Sequence, residues 1–87
     1  MDRKKIHELL DLILEIQDRG EGKDGYPYVN IEFLNYGGRI LLSAQENGFV
    51  ANRGYDLFDW IETDKQLDDA IVFAKVLLEK AVDMVGE

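Results

Sequence analysis

Residues 28–51 read YVNIEFLNYGGRILLSAQENGFVA, and the fold class follows from how that stretch divides. From Tyr28 to Tyr36 apolar and polar residues alternate. Val29, Ile31 and Phe33 project one way and Asn30 and Glu32 the other, the period-two pattern of a half-buried strand. Gly37-Gly38 is a two-residue hairpin signal, because both central positions of such a turn need positive φ. A tight turn there sets Tyr36 opposite Arg39, Phe33 opposite Leu42 and Ile31 opposite Ala44, so that apolar side chains meet on one face. Asn47-Gly48 gives a second signal of the same kind, with Glu46 facing Phe49 and Ala44 facing Ala51. Three antiparallel strands are predicted. Beyond them, Arg53-Gly54 reads as a bulge or turn, and Leu57 to Glu62 as a fourth, short edge strand.

Helical periodicity flanks this meander on both sides. From Asp2, a candidate N-cap, to Arg19 the residues Ile6, Leu9, Leu10, Ile13 and Ile16 recur at steps of three and four, with Leu12 and Leu14 widening the stripe. Gly20 marks its C-terminal stop, and Gly20 to Pro27 has the composition of a solvated loop. Thr63 with Gln66 is a capping box, with Asp64 suited to the positive end of a helix. The helix that follows carries Leu67, Ile71, Ala74, Leu78, Ala81 and Val85, widened by Phe73, Val76 and Leu77. The expectation is an α+β fold spanning residues 1–87 as one domain. It has an N-terminal helix, an antiparallel meander of three to four strands and a long C-terminal helix, with both helices on one sheet face.

Composition narrows the function classes. At 87 residues and 46% hydrophobic, the chain has room for one modest core. Without cysteine it has neither a disulfide framework nor thiolate metal ligands, and no stretch is long and apolar enough for a signal h-region or a membrane span. A cytoplasmic protein without membrane contact is expected. With 18 acids against 10 bases the net charge is −8, which disfavours direct nucleic-acid binding and favours basic partners. Residues 55–69 alone hold six acids and one base.

Candidate chemistry is sparse. His7 with Asp11 at i,i+4 could form an oriented base or half a metal site, but zinc needs three or four ligands. Ser43, the single serine, sits mid-strand without the sharp turn a nucleophile needs. Glu62, Asp64, Asp68 and Asp69 offer oxygen ligands for a hard cation, yet their spacing matches no calcium loop and suits a helix N-terminus. The glycines are turn glycines, not a phosphate cradle. No catalytic residue, metal or cofactor is therefore expected, and the protein is expected not to be an enzyme.

The surface is more informative. Tyr28, Leu34, Tyr36 and Leu41, with Val50, fall on the sheet face away from the helices, a candidate dimer or second surface. Tyr55, Asp56, Phe58, Asp59, Trp60 and Glu62 interleave aromatics with acids, and Asp64, Asp68 and Asp69 extend the charge. Aromatic anchors beside carboxylates suit a basic protein surface, so these nine residues are the candidate partner-binding segment.

In size, charge and layout over the whole chain, the sequence resembles small acidic phage- or mobile-element-encoded anti-defence proteins, the anti-CRISPR type included. The resemblance implies an inhibitor in the host cytosol that blocks the basic, nucleic-acid-binding surface of a defence protein such as a CRISPR effector. It rests on no motif, and no residue role passes across from it. Seven of the ten bases precede residue 55, so at most one face could mimic nucleic acid. The alternative is a homodimeric adaptor or structural module that pairs through its open sheet face or edge, with acidity serving solubility. Both monomer and homodimer fit the sequence.

Overall fold

Asp2 does cap the first helix: its Oδ1 accepts a hydrogen bond from the Lys4 amide at 2.8 Å. The computed structural model describes residues 1–85, without the side chains of Tyr36, Met84 and Val85. Tyr36 on the open face and Val85 on the last helical stripe therefore lie, as expectations, outside the described side chains. The elements are α1 (Arg3–Arg19), β1 (Tyr28–Leu34), β2 (Arg39–Gln45), β3 (Leu57–Ile61) and α2 (Asp64–Val85), an α+β layout whose antiparallel sheet has the order β1-β2-β3.

One sheet face makes the core. Val29, Ile40, Leu42, Ala44 and Ile61 are buried there against Leu9, Ile13 and Ile16 of α1 and Leu67, Ala70, Ile71, Ala74 and Leu77 of α2. Ile6, Leu12, Ile31, Leu57, Phe73 and Leu78 pack around this set. Leu14, which the sequence pattern places on the widened stripe, is 48% exposed, and Val76 is exposed as well. The helices run parallel, since contacts advance together along both of them. The Asp2 amide donates to Asp64 Oδ1 at 2.9 Å, Lys5 pairs with Asp68 at 2.9 Å, and Lys75 pairs with Glu8 at 3.5 Å. The capping box forms as expected: the Gln66 amide donates to Thr63 Oγ1 (3.2 Å), while Gln66 Oε1 accepts from the amides of Thr63 (3.1 Å) and Glu62 (2.7 Å).

Two features of the meander differ from the sequence reading. First, the β1–β2 hairpin pairs Leu34 with Arg39, Phe33 with Ile40, Ile31 with Leu42 and Val29 with Ala44, two residues away from the tight-turn register. The connection is the four-residue loop 35–38, containing a 3₁₀ turn at Tyr36–Gly38 with Gly37 at φ 78° and Gly38 at φ 62°. The physical reason is the partner of Val29. The expected register would set Val29 against Glu46, whereas the observed one gives it Ala44 inside the core. A slip of two residues keeps every side chain on its expected face, so the layering survives. Phe33, however, ends up beyond the helical cover, 54% exposed, and is not a core residue.

Second, no strand follows Asn47-Gly48. The chain leaves the sheet over residues 46–56, and the segment expected as a fourth edge strand is the third strand, with Ile40 opposite Ile61, Leu42 opposite Asp59 and Ala44 opposite Leu57. The excursion is held by the loop before β1 and by one buried side chain. The Phe49 amide donates to Gly22 O at 2.8 Å, and a Cβ at Gly48 would sit 3.1 Å from Lys23 Cα, so the two loops touch backbone to backbone. Gln45, 1% exposed, accepts from the Val50 amide (2.6 Å) through Oε1 and donates to the carbonyls of Arg53 (3.1 Å) and Val50 (3.4 Å) through Nε2. Backbone groups that a hairpin strand would have offered to β2 are spent on this amide. Gly20 also acts differently from a left-handed stop. Its φ of −171° is ordinary extended backbone, and its function is space, since a Cβ there would meet the Tyr26 ring at 2.5 Å.

Candidate partner-binding face

Alternation and register decide which side chains stand on the sheet face that the helices leave bare. From β1 come Tyr28, Asn30, Glu32 and Leu34, from β2 Arg39, Leu41, Ser43 and Gln45, and from β3 Phe58 and Trp60. Phe58 and Trp60 lie edge to face with ring centroids 6.4 Å apart, and Tyr55, in the loop before β3, sets its ring 5.8 Å from Phe58. The Arg39 guanidinium lies 4.9 Å over the Trp60 ring, an attraction between cation and ring quadrupole. At the other end Tyr28 meets Phe49 at 5.0 Å. Burial of Tyr28 pushes its phenol above the ordinary value, and the Tyr55 hydroxyl, close enough to act on it, adds to the effect. Tyr55, Phe58, Trp60 and Arg39 thus form an arc along the β3 side of the open face, with the Tyr28–Phe49 pair as a separate group at its β1 side. Leu34 and Leu41 lie on the same face, and Ser43 is only 3% exposed, with Phe58 directly across.

The carboxylates of the same segment part company with the aromatics. Asp56 Oδ2 accepts from the Glu46 amide at 2.8 Å and so closes the loop. Asp64 and Asp68 belong to the helix layer, bonded to the Asp2 amide and to Lys5, and Asp69 pairs with Lys65 at 3.4 Å on exposed helix surface. Hydrogen bonding to Asp68 raises the Lys5 ammonium above its usual range. Asp59 projects from the edge strand toward the helix side, opposite Leu42. The side chains of Asp59 and Glu62 make no hydrogen bond or ion pair among the described residues. Of the nine residues read from sequence as one segment, the structure therefore brings Tyr55, Phe58 and Trp60 together, sets Asp56, Asp59 and Glu62 around the β3 edge, and carries Asp64, Asp68 and Asp69 away on α2. Tyr28, Leu34 and Leu41, read as a separate surface, join the aromatics instead. Val50 lies in the loop 46–56, exposed.

No family model, curated protein or solved structure matches this chain. Its chemistry is accordingly read from the residues. His7 is exposed on α1 beside Lys4, Glu8 and Asp11. Among the described residues no group of three or more His, Asp or Glu side chains is placed to hold a metal ion, and no helix is long and apolar enough to cross a membrane. Sequence reasoning missed Phe49 and Arg39 as members of the face. Phe49 falls in a predicted strand that the chain does not form, and Arg39 reaches Trp60 only through the β2–β3 pairing, whereas the Asn47-Gly48 signal pairs β2 with the residues just after it.

Proposed function

We propose that this protein works by binding rather than by catalysis: its open sheet face docks on a basic surface of another protein. The observation that carries this reading is the pair Phe58 and Trp60, 53% and 39% exposed, side by side on a face with no helical cover. An exposed aromatic patch of this kind supplies desolvated contact area, and the carboxylates at the bordering β3 edge, Asp59 on its helix side and Glu62 just past its end, select the sign of the partner's charge. A second copy is the less suitable occupant, because it would bring one net charge of −8 onto another. Nucleic-acid-binding grooves are basic surfaces of sufficient extent. Given the resemblance in size, charge and layout to anti-defence proteins, such a groove on a host defence protein, CRISPR effectors included, is the partner class to test first.

The test is a titration against a purified nucleic-acid-binding protein retained from host lysate. Trp60→Ala, on a protein shown to keep its fold by circular dichroism, should weaken binding by about 30-fold, the effect of losing an interface anchor worth about 2 kcal/mol. Nucleic acid should compete. Full affinity in that variant would overturn the reading.

A further inference from the structure

The backbone of β3 presents a second, more specific feature. Ala44 O accepts from the Asp56 amide at 2.9 Å, so the peptide groups of Ala44 point toward β3. Val29 O, opposite Ala44 on the other side, accepts from Gln17 Nε2 at 3.3 Å and hence points away from β2, which agrees. Because the direction alternates along an antiparallel ladder, Leu57, Asp59 and Ile61 turn their N–H and C=O groups inward to β2, and Phe58 and Trp60 turn theirs outward. The next outward amide, that of Glu62, is already taken by Gln66 Oε1. The free edge is therefore the N–H and C=O groups of Phe58 and Trp60, unpaired among the described residues, with aromatic side chains above and the Asp59 carboxylate below.

We propose that this edge accepts an extended strand of the partner, one that alternates apolar residues with Lys or Arg. The proposal rests on the docking function above and names the partner's local structure. In an added strand, side chains opposite Phe58 and Trp60 would lie on the open face against the aromatic arc, and the side chain opposite Asp59 would lie on the helix side. A charge pointing inward from an edge strand discourages pairing with an apolar strand, which would desolvate it unpaired. A Lys or Arg at that position turns the same carboxylate into a selection for basic segments. Residues 55–62 contain Asp56, Asp59 and Glu62 and no base, so the complementarity is local as well as global. The opposite edge is less suited: Gln17 caps Val29 O, and Glu32 is the single acid along β1. A second copy fits poorly too, since β3 paired with itself about Asp59 would set two carboxylates opposite each other.

The probe is a capped, alternating lysine-valine peptide of about seven residues, roughly the length of an ordinary strand. It is used with the full chain and compared with the same peptide N-methylated along one edge and with its glutamate-valine counterpart. Backbone amide hydrogen exchange is followed by NMR. Saturating lysine-valine peptide should slow exchange at Phe58 and Trp60 by about tenfold or more, as expected when an exposed amide enters a ladder. The N-methylated peptide should give no such slowing, the glutamate peptide should bind at least about tenfold more weakly, and Asp59→Asn should weaken the lysine peptide by about fivefold. Protection at Ile31 and Phe33 instead, or no binding, would overturn the proposal. So would a Trp60 fluorescence change without slowing at Phe58 and Trp60, although docking on the open face would then still stand. Docking itself fails only if Trp60→Ala leaves the affinity for a basic protein unchanged.

Discussion

Gln45 closes the irregular half of the sheet with one side chain. Its amide offers the backbone what a neighbouring strand would have offered, accepting from Val50 N and donating to Val50 O and Arg53 O. Truncation to alanine removes all three part-buried bonds and leaves the Val50 N–H and Arg53 C=O without these partners, so Gln45→Ala should cost about 1–3 kcal/mol in urea unfolding followed by Trp60 fluorescence. Ser43→Ala, at a buried residue whose side chain makes none of these bonds, should stay within about 1 kcal/mol. This residue was not legible in the sequence. A glutamine at a strand end reads as a polar terminus, and its burial follows from a loop folding over it, which leaves no local signal. Tyr28 offers a second test at the same scale. Its phenol is held above its ordinary 10.0, first by desolvation and then by Tyr55 and Glu32. The folded state therefore keeps its proton where the unfolded chain has lost it. Tyr28's contribution to stability is complete below the unfolded value of about 10 and is lost as pH rises through the folded one. Ultraviolet titration of the protein against its Tyr28→Phe variant should show that the phenol lost in the variant ionises above the ordinary value, and Phe49→Ala, by wetting the ring, should bring it back.

At the scale of elements, caps and periodicity were legible and pairing register was not. The capping side chains of Asp2, Thr63 and Gln66 act within four residues of the amides they bond, so the sequence holds the whole of each cap. The β1–β2 register depends on which side chain Val29 meets across the sheet, and two glycines permit a four-residue loop as readily as a two-residue turn. The candidate site divided along the same line: the aromatics were readable as a surface, while their union with Tyr28 and Leu41 required the β2–β3 pairing. Phe33 shows the consequence. Alternation places it on the core face, but the helices do not extend over it. Phe33→Ala should therefore cost about 1 kcal/mol, against about 3–4 kcal/mol for the fully buried Leu42→Ala, when both are measured by chemical denaturation. Equal losses would mean that the helices cover the hairpin end. Gln66→Ala should cost about 1 kcal/mol or more, because one carbonyl oxygen serves two otherwise free amides at the start of α2.

For the molecule as a whole, the net charge of −8 and the bare aromatic face act in opposite senses. The face favours any contact that removes its rings from water, including contact with another copy, while the charge opposes a second copy and favours a basic partner. Salt separates the two. Screening shortens from about 10 Å at 0.1 M to about 3 Å at 1 M, so repulsion between copies fades while the hydrophobic attraction persists or strengthens. Sedimentation should accordingly find a monomer in dilute buffer and concentration-dependent self-association at about 1 M salt. Phe58→Ser and Trp60→Ser should abolish that association, since both rings stand on the contact face. Affinity for a basic partner should move the other way and fall across the same salt range, because its electrostatic part is screened while the aromatic contact alone remains. A dimer already formed in dilute buffer and insensitive to the two serine substitutions would show that the charge does not hold copies apart and that the open face is not where they meet.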